Sequence, residues 1–534
     1  MRRLTVLAMI VAVLVAGSAF AQRHLTIQPN ATFANGLAPS TTNNDDSCDI
    51  GTYPAATLLL PFFQVDLGTA GTGRTVLFDI TNTSRYSQIA HVTVWTDWSV
   101  PVLDFNLFLT GYDVVPVNLF DVIARGLIPT TSVATTAQPG ATNTAANTSN
   151  VNVGTKPVLT TTLNGGNPNF SAAVPANCAA GRLPGQLPPA AVADIRAALS
   201  TGTATGTTAV CPGTQVGSNH GANTAVGYVT IDVNADCNTS LPTSPAYFTT
   251  FILFDNVLTG DYFDVNQNTA TGNFAGGNPM VHIRAIPEGG AAGSVPGTNL
   301  PFTFYDRYTL GANTRTVDRR QPLPSTFAAR WISGTAAIFD TQYKIWREGL
   351  TGAGAACVDF VANDTIPLTE IVRFDERENA AVVSGGQTFS PFTPSQPSTR
   401  ETELVAVATG AIFPQIITTD AGGWMYMNLN NGGDLQAGST TLYSAARPGF
   451  GSLATTRDVS QNWVIVQMFA EGRFGVDFDA TQLGNGCNPA AAGSDVAPIG
   501  PAGGALIGTL SNNFAATAGC AVCTPNGAAT NTTP

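Results

Sequence analysis

Residues 89–119 read IAHVTVWTDWSVPVLDFNLFLTGYDVVPVNL, and this stretch decides the fold class. Val92 and Val94 alternate with His91, Thr93 and Trp95, the period of two that sends successive side chains to opposite faces of a strand. Ile89–Thr96 therefore reads as a strand. Beyond Pro101, Val102–Leu109 and Tyr112–Leu119 are two more, separated by Thr110-Gly111, whose length and composition suit a tight hairpin loop. The expectation is a meander of antiparallel strands.

Working outward, Thr57–Leu67 and Thr75–Thr81 are further β-branched and aromatic runs, bounded by Gly/Thr-rich and Asn82-Thr83-Ser84-Arg85 turn chemistry. From residue 129 to 223 the chain turns Thr/Ala/Asn-rich, with too little bulk to build a core, and reads as an insertion. Inside it, Pro188–Leu199 forms a helix: Pro189 suits a first turn, and Ile195 and Leu199 share a face. Strand signals return at Ala225–Val233, Ala246–Phe254, Asp261–Val265 and Met280–Ile286. A Gly/Pro-rich stretch, 287–301, reads as a linker to a second strand-rich part, 302–487. The clearest element of that part is the hairpin Trp463–Ala470, Glu471-Gly472, Arg473–Ala480. One strand per eight to twelve residues without long helices predicts an all-β protein: two antiparallel β-sandwich-like domains (51–286 and 302–487) with long low-complexity insertions and disulfides, then an Ala/Gly-rich tail from 488 to 534.

The N-terminus has the layout of a signal peptide over residues 1–21. Arg2 and Arg3 precede an apolar run, Leu4–Val15, and a small-residue site at Ala19-Phe20-Ala21. That run is shorter than the roughly 20 residues a membrane span needs, and no cysteine follows it where a lipid could be attached. A polar lead-in, 22–50, follows. The expected destination is the periplasm, the cell surface or the medium, without a transmembrane anchor. Only 11% of residues are charged, and the net charge is -12. The sole lysines, Lys156 and Lys344, and the scattered arginines make no run that could track phosphates, which excludes nucleic acid as a partner.

The eight cysteines are even in number behind an export signal, which favours disulfides in an oxidising compartment. Spacing leaves the connectivity open; the pairing adopted is Cys178 to Cys211, Cys48 to Cys237, Cys357 to Cys487, and Cys520 to Cys523. The last pair, a CxxC, has the alternatives of a redox centre or half a zinc site, but it sits in a loop-like tail without a helix N-terminus or nearby histidine.

Tyr-Val-Thr-Ile-Asp-Val (228–233), Pro-Leu-Pro-Ser-Thr-Phe-Ala-Ala-Arg (322–330) and Gly-Arg-Phe-Gly-Val-Asp-Phe-Asp-Ala (472–480) resemble a group of exported bacterial β-rich proteins with no assigned activity. The resemblance implies export and a β-rich fold and carries over no site residue.

For chemistry, His24, His91, His220 and His282 are the only imidazoles, and no HExxH, GxSxG, Walker or GxGxxG pattern stands where its chemistry would need it. Asp97, Asp104 and Asp113 accompany Trp95 and Trp98, the acids and aromatic platforms of a carbohydrate site. That site requires the acids to share an open cleft about 5 to 9.5 Å apart; otherwise these are turn acids and packing aromatics. Asp232, Asn234 and Asp236, with Asp261 and Asp264 downstream, offer oxygens at alternate positions that could converge on calcium; the alternative is a set of solvated Asx turns. The expected function is a non-enzymatic exported protein with a cell-surface, matrix or assembly role, its sheet edges available to surface or self-assembly partners. The competing expectation is a secreted protein that binds or hydrolyses glycans.

Overall fold

The computed structural model describes residues 50–482 apart from internal segments, the longest being 130–185, 286–303, 306–319, 348–369, 385–401, 407–421 and 430–461. The signal peptide, the lead-in as far as residue 49, the linker and the tail, Asp236, His24 and every cysteine except Cys237 lie outside the described residues.

The chain is all-β: antiparallel sheets with few helices. The first part contains β1 (Thr57–Asp66), β2 (Arg74–Asn82), β3 (Gln88–Thr96), β4 (Pro101–Leu109), β5 (Val114–Asn118), α1 (Leu119–Arg125) and α2 (Pro189–Ser200). It continues with β6 (Thr224–Asn234), β7 (Leu258–Thr259), β8 (Asp261–Asn266), β9 (Phe274–Pro279) and β10 (Val281–Ile283). One five-stranded sheet has the order β10-β1-β6-β3-β4; another has the order β5-β2-β8-β9, with β7 also on β2. The second part contributes β11 (Thr326–Ile332), β12 (Phe339–Arg347), β13 (Glu370–Asp375), β14 (Ala380–Ser384), β15 (Thr402–Ala406), β16 (Gly422–Asn428), β17 (Asn462–Ala470), β18 (Phe474–Asp479) and β19 (Thr481–Gln482). These order as β14-β13-β16-β11-β19 and β15-β12-β17-β18. Among the described residues no helix is long and apolar enough to cross a membrane.

The expected meander is corrected. β3 and β4 do pair, but β5 pairs with β2, in the other sheet. The Thr110-Gly111 turn is therefore a crossing between sheets and not a hairpin. Asp113 accepts bonds from Thr110 N and Oγ1, Asn82 N donates to Asp113 O, and Tyr112 takes a positive φ of 60°. Strand periodicity says which residues alternate; it does not say which neighbour receives them. A second correction falls at 246–254, expected as a strand, where Tyr247–Phe251 forms a π-helical turn. Its aromatic rings pack inward edge to face, Tyr247 against Phe248 at 5.4 Å and against Tyr305 at 6.4 Å, and that packing overrides β propensity. β9 was not expected because FAGGNP has few strand formers. Gly277 accepts the neighbouring Phe263 ring, which would lie 2.5 Å from any Cβ there.

The helix in the insertion forms as expected, with Ile195 and Leu199 buried. Asn118 Oδ1 caps α1 by accepting from Phe120 N, and Gly126 ends it at φ 68°. A Cβ on Gly126 would stand 2.5 Å from Val192 Cγ2 of α2, so glycine serves both the left-handed cap and the close approach.

β3 is buried along its whole length. Cross-strand partners share a face, so Ala90, Val92 and Val94 join Leu58, Leu60, Val229, Ile231 and Val233 on one side. Burying each such side chain contributes about 1.5–3 kcal/mol relative to exposure. A single buried cluster continues from these residues through Trp331, Trp346, Trp463 and Val466 of the second part.

Candidate functional site

The other face of the same sheet carries a set of polar side chains that is buried except at Asp104, which is partly exposed. β3 supplies His91, Thr93 and Trp95, β4 Asp104 and Asn106, β6 Thr230, Asp232 and Asn234, and β1 Thr57. Asp232 lies at its centre. Its carboxylate accepts bonds from Thr57 Oγ1, Tyr247 OH and Tyr305 OH (2.7 Å), and the fully buried Arg320 stands beside it at 3.5 Å. Burial first, and then the Asp232 charge, push both phenols well above the usual tyrosine range, so they act as fixed donors. His91 Nδ1–H donates to Asn106 Oδ1 at 2.9 Å, while His91 Nε2 stands 4.0 Å from Asp104 Oδ2, beyond direct bonding.

A second buried network joins the two parts of the chain. Lys344 of β12, 1% exposed, donates to Asp477 of β18 at 2.6 Å and to Asp264 of β8 at 3.1 Å. Arg74 of β2 grips Asp264 from the other side, and Gln467 and Tyr262 donate to Asp477 at 3.0 and 3.3 Å. Burial alone would raise the Asp264 carboxyl, but the two cations hold it well below the carboxylate range. These charges are mutually neutralised, so the network locks strands together.

The expected carbohydrate residues are not gathered into a cleft. Trp95 and Trp98 are buried, their indole N–H groups given to Thr230 Oγ1 (2.8 Å) and Ser218 Oγ (3.0 Å), so neither offers a ring face to a sugar. Asp97, in the β3–β4 turn, accepts from Ser218 N at 2.9 Å and His220 Nε2 at 3.0 Å. Asp113 sits past the far end of β4, a strand length or roughly 30 Å away, and Asp104 lies between them beside His91. The expected calcium ligands are likewise divided. Asp232 and Asn234 belong to β6 in one sheet and Asp261 and Asp264 to β8 in the other, with Asp232 and Asp264 already engaged as described. Among the described residues no group of three or more His, Cys, Asp or Glu side chains is placed to hold a metal ion. Cys237 is fully buried and is not a free thiol.

What the strand sequences did not single out is the outward face of the β5-β2-β8-β9 sheet. Val76, Phe78 and Ile80 of β2 point into the core, which turns Leu77 and Asp79 outward; on β8 Tyr262 and Asp264 are buried, which turns out Asp261 and Phe263. Leu77 and Phe263 are register partners, 37% and 41% exposed, and Val114 on β5 is 53% exposed. Tyr112, in the turn leading to β5, is 70% exposed. Beside them opens a groove of about 540 Å3, floored by Leu77, Phe263, Pro116 and Ile128 and edged by Asp79 and Asp121. The signal was available as the period-two pattern of Thr75–Thr81 and Asp261–Val265. Its meaning depended on which face the rest of the chain would cover.

Compared with protein families, with curated proteins and with solved structures, the chain matches none.

Proposed function

We propose that this is an exported, non-enzymatic β-rich protein with a cell-surface, matrix or assembly role, which docks to a partner through the outer face of the β5-β2-β8-β9 sheet. One observation carries the reading: of the six exposed large apolar side chains among the described residues, Leu77, Val114 and Phe263 lie on this one sheet face and Tyr112 beside it, with Tyr53 and Val476 elsewhere in the chain. Contiguous exposed apolar surface beside a groove marks interaction sites, whereas scattered exposed residues do not. Pro116 withholds an N–H from the edge of β5, so docking uses the face of the sheet and not strand addition at that edge. Asp232, Asp264, Lys344 and Asp477 are held by donors and counter-charges, as suits a scaffold. In this reading the sheets form two sandwich-like domains, and the pairings Cys48–Cys237, Cys178–Cys211, Cys357–Cys487 and Cys520–Cys523 staple an exported chain.

The test is a photo-crosslinking amino acid placed at Val114 in the producing cell, with Glu376, 56% exposed in the β13–β14 turn, as the control position. Adducts of higher mass at 114 and not at 376 are expected. Equal yields at both positions, or none at 114, would remove the docking face.

A further inference from the structure

Resting on that docking reading, we propose that the groove beside Leu77 and Phe263 receives an extended peptide segment of a partner protein, with an apolar residue and a lysine or arginine two positions apart on the same face.

The spacing comes from the register. Leu77 lies opposite Phe263 and Phe78 opposite Tyr262, so the next outward pair along the strands is Asp79 and Asp261. An apolar row and an acidic row thus run side by side across β2 and β8, two residues or about 7 Å apart along the strand direction. Side chains i and i+2 of an extended segment have the same separation.

The acidic row lacks cations. Asp79 accepts from Thr81 Oγ1 at 3.2 Å and from Asp261 N at 3.1 Å, and neither aspartate has an ion-pair partner among the described residues. Burial first, and then the neighbouring Asp79 charge, hold the Asp261 carboxyl above its ordinary value, against a smaller opposing pull from His282. Seating an apolar segment here takes these carboxylates further out of water, which costs free energy unless a positive charge arrives with it.

The same charges argue against other occupants. A second copy of this chain, net charge -12, would bring an excess of acidic groups to an acidic row. For a sugar, the groove's polar atoms are largely committed. Asn118 Oδ1 accepts from Thr75 Oγ1 and Phe120 N, Asn118 Nδ2 donates to Asp121 Oδ2 at 3.2 Å, and Arg125 takes Asp121 Oδ1 at 2.9 Å.

The experiment titrates the full mature protein with three labelled twelve-residue probes, read by fluorescence anisotropy. One has Val at i and Lys at i+2 with Thr between; the second replaces Lys with Glu; the third replaces Val with Ser. The first is expected to bind at least tenfold more tightly than either other, and to weaken in high salt. Asp79→Asn with Asp261→Asn should weaken it about tenfold or more, since each exposed ion pair contributes up to about 1 kcal/mol, or about fivefold. Equal binding of the Lys and Glu probes, or no effect of the double substitution, overturns the proposal. If Leu77→Ser abolishes binding while the charge substitutions do nothing, the charge inference fails and the docking face stands; if none of the three changes binding or crosslinking at Val114, the docking reading itself fails. Self-association that is abolished by Leu77→Ser, or competition for the groove by soluble oligosaccharides, would also overturn it in favour of those occupants. All three substituted residues are partly exposed, and circular dichroism is expected to show the native fold throughout.

Discussion

Replacing Lys344 by methionine tests how the two parts of the chain are held together. Its ammonium group serves two carboxylates at once, Asp477 at 2.6 Å and Asp264 at 3.1 Å, and all three side chains are at most 1% exposed. Methionine fills a similar volume and removes the charge. Asp264 keeps Arg74, whose charge also reaches Asp477 at longer range, but the groups bonded to Asp477 are then only the neutral donors Gln467 and Tyr262. Removing one partner from a buried ion pair costs about 3–5 kcal/mol, because the desolvation of the remaining charge is no longer offset. Lys344→Met should therefore lower stability by about that amount. Lys344→Met with Asp477→Asn should recover most of the loss, since an amide needs no counter-charge. Urea unfolding followed by far-UV circular dichroism measures both. A loss below about 1 kcal/mol in the single variant, or a double variant no better than the single one, would refute the view that this cation compensates both carboxylates.

Asp255, 4% exposed, has its carboxyl raised to about 7 by burial, against about 3.9 in an unfolded chain. The native state therefore binds this proton more tightly, and the contribution of Asp255 to stability is fully present below about pH 4, falls between about 4 and 7, and levels off above that. Asp255→Asn should flatten that slope, which amounts to at most about 4 kcal/mol; identical pH profiles of urea midpoints in the two proteins would count against the burial argument. Trp98→Ala, at a side chain 2% exposed and bonded to Ser218, should cost about 3–5 kcal/mol through the cavity it leaves, with no change in retention on polysaccharide resins. Lost retention with unchanged thermal stability would reinstate a sugar site there. Gly277→Ala should force the Phe263 ring off β9 and weaken the Val/Lys probe several-fold, and unaltered probe binding would show that the flat ring is not part of the docking surface.

Much of the secondary structure was legible in the residues. The extents of β1, β2, β3, β6, β8 and of the β17–β18 pair agree with the sequence reading to within one or two residues, because β-branched and aromatic runs between Gly, Asn and Pro turns are local signals. The failures are also informative. Tyr247–Phe251 has strand-forming residues yet turns as a π-helix, since Tyr247 reaches Asp232, far along the pleat on β6. β9 has poor strand formers yet pairs with β8, since Phe263 covers its glycine. Of the candidate site residues, the aspartates and tryptophans of 95–113 attracted notice by type, but type did not reveal that the indoles are buried or that the acids lie at opposite ends of one strand.

The sequence by itself determined the all-β class and the positions of most strands, because hydrophobic periodicity and turn chemistry act over a few residues. Only the tertiary structure decided that β5 joins β2 and not β4, that Asp232 and Lys344 are enclosed in compensated networks, and that Leu77 and Phe263 face outward beside Asp79 and Asp261. The physical reason is that alternation along a strand defines two faces without ranking them. Which face is buried depends on the sheets that arrive from elsewhere in the chain, and on the free energy of desolvating whatever each face carries.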